Sequence, residues 1–342
     1  MARRQKVVAK LVGILQANQT LKHALESSLT KAQVTGMETA EEFFDYLDRI
    51  LTHIPAEKDL MPSVREFYYV LSKSPGDILR KDETFNDWIN EFVVSRGSFL
   101  DTTESTKTLD SFINNPEYKI NDYIKGPSGW LTYNQFLARQ LKPGKRPIAG
   151  RCDDSIVVSP ADSEFMGQWP IEENSLITVK GNTYSVTNLL KGSEYQHKFA
   201  KGVFTHSFLM ITDYHRYHTP VGGVVREVRK IPAKTWVNAE KKPDGSLQNT
   251  DNVGFQFEHT RGYIIIESPV GFVAIMPVGM GHISSVNLNV EPGTELVKGE
   301  EFGFFGFGGS DIIMLFEAGR VEFTARENTH YKQGEQVARV IR

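Results

Sequence analysis

The pattern of hydrophobic residues changes abruptly at residues 125–129, where the chain reads Lys-Gly-Pro-Ser-Gly. Before this point, apolar side chains recur every three or four residues, the spacing that places them on one face of a helix. After it come short runs rich in Val, Ile and Phe, separated by Gly and Pro, which are typical of strands joined by turns. The sequence therefore predicts an α+β protein, with a helical N-terminal region over 1–125 and a β-rich, sandwich or barrel-like body over 126–342.

Charge and composition exclude several classes of protein. The 342 residues carry 39 basic and 42 acidic side chains, a formal net charge of −3, whereas nucleic-acid-binding proteins usually show a basic excess. The single cysteine, Cys152, excludes an internal disulfide and a multi-cysteine metal site. No run of about 18 apolar residues occurs, so we expect no transmembrane helix. The sequence thus predicts a globular protein that is neither a general nucleic-acid binder nor the carrier of a multi-cysteine metal site.

The N-terminus holds a local basic excess. Residues 1–10 include Arg3, Arg4, Lys6 and Lys10 and no acidic residue, and apolar residues follow at partly helical spacing. Two interpretations stay open: a terminal helix that packs on its own domain, or a basic amphipathic helix that lies on an anionic membrane. Because no secretory signal is recognisable, we expect a cytoplasmic protein, with peripheral membrane contact through residues 1–15 as the alternative.

Three separated stretches carry side chains suited to chemistry. They hold Asp162, the pair His215 and His218, and Ser310 at the end of a glycine-rich segment. An Asp, a His and a Ser are the residue types that together activate a serine nucleophile. Other interpretations stay open at this point: Asp213 and the two histidines could bind a metal, and the histidines could simply be hydrogen-bonded at a strand end. The glycine-rich segment lacks the lysine of a phosphate-binding loop.

Five motifs, in this order, resemble the phosphatidylserine decarboxylase family of pyruvoyl enzymes. They are YNQFLARQLKPGKRP at 133–147, SPAD at 159–162, DYHRYHTP at 213–220, PVGMG at 277–281 and GGS at 308–310. The resemblance covers roughly residues 130 to 342 and leaves the first 125 residues outside. Because the motifs are separated and ordered, together they are far more specific than any one of them.

The resemblance implies a self-cleaving precursor. Members of the family cut themselves between a Gly and a Ser, here Gly309 and Ser310, and convert the serine to a covalent pyruvoyl group that serves as the cofactor. By the same resemblance, His218 is the base that activates Ser310, Asp162 orients His218, and His215 acts in decarboxylation. The mature enzyme would then consist of a 309-residue chain and a 33-residue chain that begins at residue 310.

This sequence departs from the family pattern beside the cleavage bond. Asp311 follows Ser310, where the family usually has a threonine, and we treat Asp311 and Tyr217 as candidate substrate-pocket residues. The departures are similar to those of divergent relatives that decarboxylate soluble amino acids such as tryptophan.

The sequence leaves three functions open. The first is conversion of phosphatidylserine to phosphatidylethanolamine plus CO₂. The second is decarboxylation of a soluble, for example aromatic, amino acid. The third is a non-cleaving module that binds a lipid or small molecule. The predicted partners are accordingly a phospholipid or an amino-acid substrate, and assembly into a homo-oligomer is also left open.

Overall fold

The computed structural model describes residues 4–179, 181–249, 254–281, 285–306 and 311–341. The predicted cleavage bond, with both Gly309 and Ser310, lies outside the described residues. The chain divides into two compact units. Unit 1 comprises 1–116, 128–135 and 234–252, and unit 2 comprises 117–127, 136–233 and 253–342.

Unit 1 is mainly helical, as the apolar spacing predicts. The helices of the chain are α1 Lys6–Ala17, α2 Gln19–Ala32, α3 Ala40–Leu51, α4 Glu57–Ser72, α5 Ile78–Lys81, α6 Glu83–Leu100, α7 Leu109–Ile113, α8 Tyr133–Leu137 and α9 Val186–Leu189. Helix α3 shows why such segments fold locally, because Thr39 and Glu42 form a reciprocal capping box at its start. Its apolar face is buried, and Phe43 stacks on Phe67 of α4, which in turn stacks on Phe92 of α6.

The basic N-terminal segment forms α1, and its apolar face is part of the core of unit 1. Val8 and Leu11 are fully buried, and the indole nitrogen of Trp88 donates a 2.9 Å hydrogen bond to the carbonyl of Val7. Arg4 pairs with three carboxylates of α3, among them Asp45 at 2.8 Å. Of the two interpretations of this segment, packing on its own domain is the one that accounts for its apolar side chains. In the part of the chain that the structure describes, no helix is long and apolar enough to cross a membrane.

Unit 2 is built from antiparallel strands. The strands of the chain are β1 Ile156–Val158, β2 Ser163–Pro170, β3 Leu176–Val179, β4 Asn182–Ser185, β5 Val203–Phe208, β6 Arg216–His218, β7 Gly223–Ile231, β8 Ala239–Lys241, β9 Leu247–Asn249, β10 Arg261–Ser268, β11 Gly271–Val278, β12 Ser285–Leu288, β13 Glu295–Leu296, β14 Glu301–Gly306, β15 Asp311–Phe316, β16 Val321–Phe323, β17 Thr329–Tyr331 and β18 Gln336–Val340. The predicted α+β class is confirmed.

An eight-stranded sheet forms the centre of unit 2, in the order β13-β7-β10-β11-β15-β5-β2-β17. The central strand β15 is buried on both faces: Ile312 and Met314 enter one hydrophobic cluster, whereas Ile313 and Leu315 enter the other. A strand covered on both faces appears in sequence as an unbroken apolar run rather than an alternating one. Within the described residues, β13 and β17 form the two edges, so the sheet is open and the barrel-like alternative is not observed.

Each of the two units consists of three separate segments of the sequence, so no single residue divides them. The hairpin β8–β9, inside the long β-rich part of the chain, belongs to unit 1 and packs on α4. Its turn places Gly245 at a φ of +85°, a conformation that favours glycine. The change of hydrophobic pattern near residue 125 therefore lies before α8 and before the first strand, β1, and it does not record that a later hairpin is grouped with unit 1.

Candidate active site

The two histidines lie on and beside β6, which pairs with β14. Glu301 lies opposite His218, and Phe304 lies opposite Arg216. One step further along, the amide of Phe305 donates a 2.9 Å hydrogen bond to the carbonyl of His215. The antiparallel register therefore places His215 beside the end of β14 that precedes the predicted cleavage segment, and His218 beside its start.

His215 is fully buried, and neither of its ring nitrogens has a hydrogen-bond partner among the described residues. Burial, together with the nearby Arg139 cation, lowers the pKa of His215 to about 3. The ring is therefore neutral near pH 7 and offers one N–H donor and one acceptor nitrogen. A buried imidazole without partners is costly in a scaffold, so this group is suited to act on a ligand.

Arg139 holds the segment that carries His215. Its Nη2 donates hydrogen bonds of 2.8 Å to the carbonyl of Thr212 and 2.9 Å to the carbonyl of Asp213. The buried guanidinium also lies 4.2 Å from the ring centroid of Tyr123. Sequence reasoning did not single out Arg139, although it lies within the 133–147 motif. The available signal was a positive charge in an apolar run, which requires partners when it is buried.

We expect Arg139→Met to lower the free energy of unfolding by about 2–3 kcal/mol, because two buried carbonyls lose charged donors. It should also raise the pKa of His215, since the nearby cation is removed. Thermal denaturation and histidine titration by NMR would measure both effects, with Arg139→Lys as the charge-preserving control. An unchanged melting temperature together with an unchanged pKa in the Met variant would contradict this role.

His218 is partly buried, and both of its ring nitrogens have partners. Nδ1 lies 2.9 Å from the carbonyl of Gly299, and Nε2 lies 3.1 Å from the hydroxyl of Tyr214. A carbonyl can only accept, so Nδ1 carries the proton and Nε2 presents its lone pair. Burial lowers the pKa of His218 to about 4. This tautomer is the one that a general base at Nε2 requires.

The carboxylate of Asp162 is buried and fixed by Arg146. Arg146 donates from Nε to Oδ1 at 2.8 Å and from Nη2 to Oδ2 at 2.5 Å, and the amide of Gln333 adds a 2.8 Å bond to Oδ1. The amide of His218 donates to the carbonyl of Pro160, which keeps the Asp162 turn beside the histidine. The carboxylate therefore acts on His218 through its charge, and direct orientation of the ring by Asp162 stays a prediction.

Tyr217, a candidate pocket residue, lies in the hydrophobic core of unit 2. Its ring packs between Phe302 and Phe305, and its hydroxyl donates to the carbonyls of Asn287 and Phe304. The same packing explains one glycine of the glycine-rich segment, because a Cβ on Gly303 would lie 2.0 Å from the carbonyl oxygen of Asn287. The structure thus gives both residues a packing role.

A cavity of about 330 Å³ opens beside His218 and Tyr214. Four cationic side chains line it, Lys142, Arg146, Arg151 and Lys298, together with the carboxylate of Glu301, which pairs with Arg216. Arg146 already pairs with Asp162 and Asp122, and Lys298 donates to the carbonyls of Gly150 and Asp153. Such a lining favours an anionic ligand group. Sequence reasoning missed this cavity, because its cations come from segments about 150 residues apart.

The structure does not bring Asp213, His215 and His218 together as a metal site. Asp213 accepts instead from His330 Nε2 at 2.8 Å and from the amide of Met210. Among the described residues, no group of three His, Cys, Asp or Glu side chains could hold a metal ion.

The residues of this site lie within a part of the chain that matches a known protein family. A family model described as phosphatidylserine decarboxylase matches residues 133–339, which include Asp162, both histidines and the predicted cleavage bond. The chain belongs to the phosphatidylserine decarboxylase family. The resemblance stated from the five motifs is thereby confirmed.

Individual phosphatidylserine decarboxylase relatives agree with this assignment. Proenzyme 2 of rice is 30% identical over 292 residues, which cover 82% of this chain and 44% of the rice protein. The proenzyme of Fusobacterium nucleatum is 27% identical over 286 residues, covering 82% of this chain and 89% of that protein. The proenzyme of Chlamydia muridarum is 34% identical over 221 residues, covering 64% and 71%. The chain thus spans less than half the length of the rice relative.

The relatives also change the picture of the N-terminal region. An overlap that covers 82% of this chain is longer than the stretch from residue 133 to its end. Part of the N-terminal helices must therefore align with the phosphatidylserine decarboxylase proenzyme of Fusobacterium nucleatum, although the motifs themselves begin only at residue 133.

Proposed function

We propose that the protein is a pyruvoyl-dependent carboxy-lyase that converts phosphatidylserine to phosphatidylethanolamine and CO₂. The observation that carries the proposal is His215, a fully buried imidazole inside the region that matches the family, whose two ring nitrogens have no hydrogen-bond partner among the residues that the structure describes. The relatives' names support it, since they are phosphatidylserine decarboxylase proenzymes. The proposal includes self-cleavage between Gly309 and Ser310 into two chains.

Self-cleavage uses the serine as a nucleophile within the chain. The Ser310 hydroxyl attacks the Gly309 carbonyl, and the acyl group moves from nitrogen to oxygen. Elimination then expels Gly309 as the C-terminal carboxylate of the long chain and leaves a dehydroalanine residue. Water hydrolyses the imine form of that residue, releasing ammonia and leaving the pyruvoyl group at the new N-terminus. Serine needs a base for its attack on the carbonyl. His218 supplies one at Nε2, because its Nδ1 proton is held by the carbonyl of Gly299. Tyr214, which occupies Nε2 in this structure, then has to release it.

The buried polar groups of unit 2 fit a pyruvoyl group. Asp311, whose backbone nitrogen follows Ser310 directly, is fully buried, and one of its carboxyl oxygens has no hydrogen-bond partner in the described part of the chain. The same holds for both ring nitrogens of the buried His215. Once formed, the pyruvoyl group supplies a carbonyl that condenses with the substrate amine and withdraws electrons as CO₂ leaves. His215 donates its ring N–H to the substrate carboxylate, and the approach of that carboxylate raises the pKa of the imidazole, so that the ring takes up a proton from water. After CO₂ has left, His215 donates this proton to the substrate carbon.

The basic cavity beside His218 supports a phospholipid over a free amino acid. A phosphodiester headgroup carries a negative charge that Lys142 and Arg151 can approach from the cavity wall. Neither tryptophan nor another free aromatic amino acid has a phosphate to place there.

The decisive experiment offers two substrates to one preparation. Purified protein is supplied with phosphatidylserine vesicles or with tryptophan, and labelled CO₂ is collected. Release from vesicles alone supports the proposal. Release from tryptophan alone would favour the amino-acid alternative, and an intact 342-residue chain that releases no CO₂ from either would favour a binding module.

Self-cleavage should be insensitive to pH over the neutral range. Because burial lowers the pKa of His218 to about 4, the ring is neutral above that value and becomes protonated, hence inactive as a base, only below it. We expect a constant cleavage rate from about pH 5 to about pH 8 and a fall as the pH drops through about 4. Mass spectrometry of freshly synthesised chain would measure the rate. A midpoint near the ordinary histidine pKa would argue against His218 as the base.

We further propose a cytoplasmic protein that reaches its lipid by peripheral contact through residues 1–15. Lys6 and Lys10 are exposed on α1, although Lys10 pairs with Glu91, and the apolar face of that helix is buried, so the contact would be electrostatic and would depend mainly on Lys6. Binding to anionic vesicles should therefore weaken strongly between about 50 mM and about 500 mM salt. Sedimentation with vesicles would measure this, and binding that does not respond to salt would contradict it.

A further inference from the structure

A buried histidine–carboxyl pair, formed by residues other than His215, His218 and Asp162, lies at the start of β15. Oδ2 of Asp311 lies 3.1 Å from Nε2 of His206 on β5 and 3.2 Å from Nε2 of Gln256. Gln256 accepts a 2.9 Å hydrogen bond from the amide of Gly254 through its own oxygen, which turns its NH₂ group towards Asp311. Asp311 and Gln256 are almost completely buried, and His206 is 7% exposed.

This cluster is not saturated. Oδ1 of Asp311 and Nδ1 of His206 have no hydrogen-bond partner among the described residues. A buried carboxylate oxygen without a donor is costly, and the cost falls when a ligand supplies one. The two partners of the carboxylate are an uncharged amide and a histidine that is charged only if protonated. With His206 neutral, the cluster is anionic and open to one cationic donor.

The position of Asp311 in the chain decides which donor it meets. Asp311 follows Ser310 directly, so its backbone nitrogen carries the pyruvoyl group after the proposed cleavage. Its carboxyl group is thereby tethered, through its own backbone, a few bonds from the carbonyl that the substrate amine attacks. The strand register reinforces this placement, since Asp311 pairs with Val278 and Phe208 in the centre of the sheet.

We propose that the Asp311 carboxylate, held by His206 and Gln256, binds the ammonium group of the substrate. The inference rests on the proposed function, which takes the substrate to be a primary amine. An N–H of the ammonium donates to Oδ1, while His206 and Gln256 fix Oδ2, so that Asp311 is a binding residue and His206 a positioning residue. The site selects for N–H donors on nitrogen and leaves the tail of the substrate to other residues.

The first test uses the full-length Ser310→Ala chain, which keeps Asp311 but forms no pyruvoyl group. The probes are glycerophosphoethanolamine and glycerophosphocholine, which differ only in three methyl groups that remove every N–H donor. Titration calorimetry should show roughly 10- to 100-fold tighter binding of the ethanolamine compound. Adding Asp311→Asn should abolish this preference. The matched control Glu317→Gln, which removes a carboxylate just after the other end of β15, should retain it.

Three results of this titration would overturn the proposal. They are undetectable binding of glycerophosphoethanolamine, equal affinity for the two probes, and a preference that survives Asp311→Asn. Because no processed enzyme is needed, the outcome does not depend on whether Asp311→Asn still cleaves itself.

The second test uses the self-cleaved chain. Where mass spectrometry shows that Asp311→Asn cleaves, its KM for phosphatidylserine vesicles should rise at least tenfold, and His206→Gln should shift KM in the same direction by less. A wild-type KM in Asp311→Asn, with active wild-type enzyme, refutes this subsite alone. A wild-type chain that releases no CO₂ refutes the proposed function instead, while the titration still tests the ammonium site.

Discussion

Ser310→Ala should leave one uncut 342-residue chain that releases no CO₂ from phosphatidylserine. The methyl side chain provides no hydroxyl to attack the Gly309 carbonyl, and no other residue can generate the pyruvoyl group at this position. The effect should be complete rather than partial, because the substitution removes both the nucleophile and the precursor of the cofactor. Intact mass spectrometry of the wild-type protein should show fragments of 309 and 33 residues, the smaller one blocked by a ketone at its N-terminus.

Ser268→Ala is a suitable control for this experiment. Ser268 ends β10, and its hydroxyl makes local hydrogen bonds at the turn to β11. That variant should cleave and decarboxylate like the wild type. An active wild-type enzyme that consists of a single intact chain would refute the pyruvoyl mechanism, and cleavage of Ser310→Ala would show that the bond has been misassigned.

His215→Gln should cleave itself normally but lose decarboxylation by a factor of about 10² to 10⁴, the usual range for a lost acid–base group. The reason is that no described residue forms a hydrogen bond with either ring nitrogen of His215, which leaves both for a substrate. His218→Gln should instead fail to cleave itself, and it should therefore release no CO₂, because no pyruvoyl group forms. Single-turnover CO₂ release, normalised to the amount of the small fragment, separates the two steps.

The exposed His197 provides the control for the histidine variants. His197→Gln changes the same residue type on the surface of unit 2 and should affect neither step. If His215→Gln fails to cleave while His218→Gln cleaves, the roles of the two histidines are exchanged. The exchange of roles has to be tested because the backbone of His215 pairs with Phe305 near the end of β14, the end that precedes the predicted cleavage segment.

The sequence predicted the fold best where local patterns and burial agree. The three- and four-residue apolar spacing of α3 and the apolar run of β15 are short-range signals, and both elements form as expected. The domain boundary was less accessible, because membership of the β8–β9 hairpin in unit 1 depends on packing against α4. No local feature of residues 234–252 records that packing.

The candidate site shows the same division. Ordered motifs identified Asp162, His215, His218 and Ser310 together with the family, since motif order is a property of the chain itself. Hydrogen-bond partners, in contrast, cannot be read from the order of motifs. Arg146 fixes the Asp162 carboxylate, and the His218 ring bonds the carbonyl of Gly299 and the hydroxyl of Tyr214. The pairings of Asp162 with Arg146 and of His218 with Gly299 join residues that only folding brings together.

The amino-acid sequence by itself thus determined the α+β class, the family and the residue types of the proposed chemistry, because these follow from periodicity, composition and ordered motifs. Only the tertiary structure decided that His215 is buried without partners, that Tyr217 serves the core, and that Asp311 lies against His206 and Gln256. Burial and unsatisfied hydrogen bonds depend on contacts between distant segments, and these contacts exist only once the strands of unit 2 have paired.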